Sequence, residues 1–184
     1  MQWHRRIGNQ RRWQRGKSVR LAGFAGAFMF AAAICAGSPA SARDRLGIYQ
    51  SWAAFKDAET PRCYAIAAPE SRISGSVRPG YFSLGFWPRK AVKHQIYVSL
   101  SRDRSSNSGV TISVGGRRFR LRATPTGGWA ADRQMDVAIV AAIRSSASLS
   151  VESIGRDGRA IVDAYSLRGA PSAIDAAALG CRRT

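Results

Sequence analysis

Beyond its first 42 residues the chain holds one histidine, His94, and two cysteines, Cys63 and Cys181, so side chains suited to acid–base or nucleophilic chemistry are few. His94 follows Lys93, and no glycine-flanked serine forms the sharp turn that presents a hydrolase nucleophile. A lone histidine lacks the partners of a general base and reads as a surface residue. Neither cysteine has a second Cys or a His at ligand spacing, so neither a metal nor a cofactor is expected. Two acidic pairs, Asp132 with Asp136 and Glu152 with Asp163, imitate a hydrolase dyad; helix capping and solvated strand positions explain them more simply. Tyr81, Phe82, Phe86 and Trp87 lie near Arg89, Lys90 and Lys93, which is the make-up of a stacking and phosphate surface, although core packing is the commoner use of such rings.

The more regular pattern is cationic. Arg118, Arg120 and Arg122 alternate with Phe119 and Leu121, so three guanidinium groups share one strand face. Residues 43–184 carry 22 Lys and Arg, 19 of them Arg, against 11 Asp and Glu. Planar guanidinium forks hold carboxylates and phosphates in pairs, which points to an anionic envelope component or an acidic protein as partner. The competing explanation is a compositional bias that serves solubility.

Those arginines must be positioned by a hairpin. In Val110–Arg122, Gly115-Gly116 supplies the positive φ values of a two-residue turn. Pairing Val114 with Arg117 then sets Ile112 opposite Phe119 and Val110 opposite Leu121, while Thr111, Ser113, Arg118 and Arg120 share the other face. Other strands are expected at 47–55, 62–68, 81–87 and 94–101. In the last of these, Ile96, Val98 and Leu100 alternate with Gln95, Tyr97, Ser99 and Ser101, giving one core face and one wetter face. Tyr81–Trp87 is apolar on both faces, as a strand buried on one side and lidded on the other would be. Asp132 caps a helix that ends near Ser145 with Met135, Ile139, Ala142 and Ile143 on one side. A second hairpin surrounds Asp157-Gly158, with a loop long enough to align Leu149 and Val151 with Tyr165 and Leu167. A last helix, 170–179, has Pro171 early, Ser172 and Asp175 at capping-box-like spacing, and Gly180 as its stop. The order predicts a mainly β fold, an antiparallel β-sandwich or half-barrel with two short helices.

Residues 1–42 read as a secretory signal peptide. Seven Lys and Arg precede the uncharged run Leu21–Ala36, and Ala40-Ser41-Ala42 gives a cleavage site between Ala42 and Arg43. An uncleaved anchor in the inner membrane is the alternative. Export leaves a single β-rich domain at 43–184, in the periplasm or secreted, and argues against nucleic acid as partner. In that compartment Cys63 and Cys181 form an expected disulfide that staples the last helix onto the Cys63 strand; two buried thiols are the alternative.

Tyr49-Gln50-Ser51-Trp52 with Phe55, the Cys63 strand, and Tyr165-Ser166-Leu167-Arg168-Gly169 followed by an Ala-rich helix and Cys181 resemble the invasion-associated locus B family of bacterial envelope proteins. That pattern usually carries more cysteines in its middle, so the chain resembles a divergent member. The resemblance implies an envelope protein linked to host-cell entry in pathogenic relatives, with no catalytic residues to carry over. The sequence therefore predicts a non-catalytic exported binding module. A periplasmic hydrolase or enzyme inhibitor, with a site formed only in three dimensions, is the second reading.

Overall fold

The computed structural model describes residues 43–57, 59–71 and 78–182. The expected signal peptide and the expected cleavage site at Ala42 lie outside the described residues, and Arg43 opens the first strand. Ten strands form one antiparallel sheet: β1 Arg43–Tyr49, β2 Trp52–Asp57, β3 Arg62–Ala67, β4 Tyr81–Trp87, β5 Val92–Ser99, β6 Val110–Val114, β7 Arg117–Thr124, β8 Gly127–Trp129, β9 Ser148–Ile154 and β10 Ala160–Ser166. Two helices accompany them, α1 Arg133–Arg144 and α2 Ala170–Gly180. The strand order is β1-β2-β3-β4-β5-β8-β7-β6-β9-β10, which is the half-barrel of the two architectures expected.

Curling brings β10 over the first strands. The Trp52 indole N–H donates to Ser166 O at 2.8 Å, Glu70 N–H donates to Ala164 O at 2.8 Å, and the Phe82 and Tyr165 rings meet edge-on at 5.9 Å. Strand alternation explains the core, because Trp52, Phe82, Leu84, Ile96, Val98, Ile112 and Tyr165 all point inward and are fully buried. α2 lies against β1–β4 and α1 against β5, which covers Ile139, Ile143, Ala173 and Ile174 and leaves Val137 and Leu179 exposed.

The central hairpin has the expected register, with Val114 opposite Arg117 and Val110 opposite Leu121 around Gly115 (φ 56°) and Gly116 (φ 72°). Asp132 caps α1 by accepting from Met135 N at 2.8 Å. Cys63 and Cys181 lie at disulfide distance, Sγ–Sγ 2.12 Å, and join α2 to β3 across 118 residues.

Three expectations are corrected, and one strand is added. The segment 47–55 is two strands, since the chain reverses at Gln50 (φ 56°) and pairs Tyr49 with Trp52. Gly127-Gly128 is a strand: a Cβ at Gly127 would fall 1.9 Å from Val98 O, so glycine lets β8 cross that close to β5. In the last hairpin Leu149 faces Tyr165 and Val151 faces Asp163, and Leu167 lies past the ladder, because Gly155 N–H closes the turn onto Arg159 O at 2.8 Å. Gly169, not a capping box, precedes α2; Ser172 makes no capping bond and Asp175 pairs with Arg144 at 2.5 Å.

Candidate functional site: the outer face of the sheet

Because inward residues fill the core, the outward residues of the same strands make the largest surface formed by regular structure, and the ladders fix its rows. Phe55, Tyr64, Gly85 and Gln95 follow one another across β2–β5. The next row runs Ile66, Ser83, Tyr97, Trp129 and Arg122 across β3, β4, β5, β8 and β7. In each row a small residue of β4 lies between larger neighbours, and a depression of about 490 Å³ opens there, lined by Tyr64, Tyr81, Trp87, Tyr97 and Trp129. An adjoining cleft of about 560 Å³ shares Ile66 and Tyr81 and is walled by apolar Ile48, Trp52, Ala53 and Pro79.

The rings hold one another in place. Tyr97 and Trp129 lie 4.3 Å apart at 44°, Tyr81 and Tyr97 5.8 Å apart at 53°, and Phe55 stacks on Tyr64 at 5.6 Å. The Arg62 guanidinium sits 5.0 Å from the Tyr64 centroid and 5.3 Å from that of Trp87, fastened by Asp57 at 3.3 Å. Lys90 Nζ lies 5.2 Å from the Trp87 centroid. Burial, reinforced by Tyr97, raises the Tyr81 hydroxyl above its ordinary range against the pull of Arg62, so it keeps its proton at neutral pH.

The other half of the face is polar. Arg118, Arg120 and Arg122 are all exposed on the outer side of β7. Arg118 pairs with Glu152 on β9 at 2.9 Å; among the described residues no ion pair engages Arg120 or Arg122. Burial raises the Glu152 carboxyl, but hydrogen bonds from Ser150 and Arg118 and the Arg118 charge outweigh it and hold it low.

The remaining candidates fall elsewhere. His94 is half-buried, edge-on to Phe86 at 5.3 Å, and burial followed by the charges of Arg144, Lys93 and Arg133 lowers its pKa. Asp136 accepts from Ile96 N at 2.8 Å, and burial, with Asp132 nearby, lifts it to about 6 despite that bond. The Glu152–Asp163 pair is separated by the sheet: Asp163 points inward and accepts from Ser101 N at 2.9 Å. Asp163 is therefore a buried acceptor and not a solvated position. Phe82 and Phe86 are core, whereas Tyr81 and Trp87 face outward; no described element forms the lid expected over β4. Among the described residues no group of three His, Cys, Asp or Glu is placed to hold a metal.

Sequence reasoning missed Tyr64 and Trp129 as members of a surface. Tyr97 was readable as outward from the alternation of Ile96 and Val98, and Tyr64 carries the same signal between Cys63 and Ala65. Ser51 Oγ donates to Arg168 O at 3.3 Å, beside the Trp52–Ser166 bond, so the β1–β2 turn meets the chain that follows β10. No family model, curated protein or solved structure matches this chain.

Proposed function

We propose that the domain is a non-catalytic module exported to the bacterial envelope, of the invasion-associated locus B type, which binds an anionic glycolipid surface through the outer face of its sheet. The observation that carries this reading is the exposure of Arg118, Arg120 and Arg122 along one strand edge-to-edge with the aromatic rows, with one of the three engaged in an ion pair. Neighbouring cations repel one another, and a partner bearing phosphate or carboxylate groups offsets that repulsion. The groups with shifted proton affinity support a binding role over a catalytic one. Asp136 commits an oxygen to the backbone of β5, His94 is held neutral against an aromatic ring, and Tyr165 is buried in the core.

Co-sedimentation with vesicles of phosphatidylcholine containing phosphatidylglycerol, whose phosphates stand in for those of the glycolipid, tests the electrostatic part of this reading. Binding is expected at low salt, to fade as salt rises, and to weaken in the Arg118→Gln/Arg120→Gln/Arg122→Gln variant. A variant that binds vesicles as tightly as the wild type at low salt refutes the reading. Binding to an acidic protein but not to vesicles would replace the glycolipid with a protein partner.

A further inference from the structure

Between the aromatic rows lies a slot whose chemistry differs from that of the arginine strand. Tyr64 on β3 and Tyr97 on β5 stand two strands and one outward row apart, diagonally across Gly85 and Ser83, roughly 12 Å between their backbones, which leaves room for one six-membered ring and its substituents. The floor is Ser83 and Gly85, and Gln95 offers an amide that both donates and accepts. Ser83 Oγ donates to Tyr97 O at 3.3 Å and retains acceptor capacity toward the slot.

The walls narrow the choice of occupant. Arg62 and Lys90 lie within 5.3 Å of the Trp87 ring centre and Arg62 within 5.0 Å of that of Tyr64, while Tyr97 and Trp129 tilt against each other at 44°. Few ring faces are left for the parallel stacking that a nucleobase exploits. Tilted rings, phenolic hydroxyls and an amide suit a ring with C–H bonds on its faces and hydroxyl groups around its edge. Charge completes the match. Among the described residues no carboxylate lines the depression, and Asp57 is tied to Arg62; cations stand at the rim as Arg43, Arg62 and, next to Trp129, Arg122.

We infer that this slot binds one pyranose unit of an acidic glycan, with Tyr64, Tyr97 and Trp129 as walls, Gln95 and Ser83 as hydrogen-bonding floor, and the ligand's carboxylate or phosphate at the arginine rim. This rests on the outer face being the binding surface, and it names the part of the ligand that the arginine strand does not read.

The test titrates the whole protein with oligogalacturonate, with its methyl-esterified neutral form and with oligothymidylate, following tryptophan fluorescence and calorimetric heat. Oligogalacturonate binding is expected, and the ester should bind at least tenfold more weakly. Ser83→Ile fills the floor with a strand-favouring residue at an outward position, and Trp129→Ala removes a wall. Each should weaken oligogalacturonate at least tenfold with the circular dichroism spectrum retained, and Ser83→Ile should leave vesicle binding unchanged. Loss of vesicle binding in the triple arginine variant is a separate readout, so either reading can fail while the other survives. Absence of oligogalacturonate binding, wild-type affinity in Ser83→Ile, or a preference for oligothymidylate would each overturn the inference.

Discussion

On their outer side β3, β4 and β5 present Tyr64, Ile66, Tyr81, Trp87 and Tyr97, whereas β6, β7 and β9 present Thr111, Ser113, Arg118, Arg120, Ser150 and Glu152. On their inner side both groups carry the same kinds of residue, Phe82, Leu84, Ile96 and Val98 in one and Val110, Ile112, Phe119 and Val151 in the other. Burial alone accounts for the inner face, because every residue there is removed from water whatever strand bears it. It does not account for the outer one. The polar half is an ordinary solvated antiparallel face with one added feature, three arginines in line. The aromatic half keeps large, half-buried rings, with exposed Trp129 beside them, at a surface that no described element covers, and an apolar patch left at a surface marks a contact site. One sheet thus holds a salt-sensitive surface and a shape-selective one, joined where Trp129 faces Arg122.

The two halves are also fastened differently, and the largest expected effect exploits this. Cys63 lies beneath the aromatic half, so Cys63→Ser/Cys181→Ser should lower stability by about 4 to 5 kcal/mol, the loop-closure value for 118 residues. Hydrogen exchange should then rise first in β3 and α2, with β6 and β7 still protected. Uniform exchange across the sheet would mean that the halves open as one.

A smaller effect lies where β8 pairing with β5 ends and Asp136 of α1 takes the Ile96 N–H. Asp136 has its pKa raised from 3.8 to about 6 in the fold, so the folded protein binds more protons than the unfolded chain between those values. Stability contributed by the protonated form is therefore present below about 4 and lost as pH rises to about 6. Asp136→Asn keeps an acceptor for Ile96 and removes the charge, so urea midpoints in this variant should be flatter across that range than in the wild type. Identical pH profiles would show that Asp136 does not set the trend.

Smaller again, the triple arginine-to-glutamine variant should change unfolding free energy by only about half a kcal/mol, since exposed substitutions rarely do more. A clearly larger loss would make this strand a structural element. Least of all, Tyr165→Phe should leave stability unchanged or slightly raised, because the Tyr165 hydroxyl is buried with no hydrogen-bond partner among the described residues. A loss above about 1 kcal/mol in thermal unfolding would reveal a bond to that hydroxyl.

Local signals made much of this legible. The Gly115-Gly116 hairpin, the Asp132 cap and the outward arginines follow from alternation, turn chemistry and capping, which act over a few residues. The closing pair Cys63 and Cys181 followed from there being two cysteines beyond residue 42. What escaped depends on distant partners. Gly127-Gly128 reads as a turn until Val98 is known to lie against it, and Trp129 then becomes a wall of the slot. Tyr64 and Tyr97 are 33 positions apart in the sequence and become two walls only because β4 threads between their strands. Asp163 looked solvated in an alternating strand, and its inward direction depends on a register that the five-residue turn sets.

The most direct measurement is an amide chemical-shift map of the whole protein with two ligands, short-chain phosphatidylglycerol and oligogalacturonate. Shifts from the lipid should concentrate in β6 and β7 around residues 111–122, and those from the oligosaccharide around residues 62–66, 81–87, 95–99 and 129. Shifts confined to α1 and α2, or one shared footprint for both ligands, would contradict a two-part binding face.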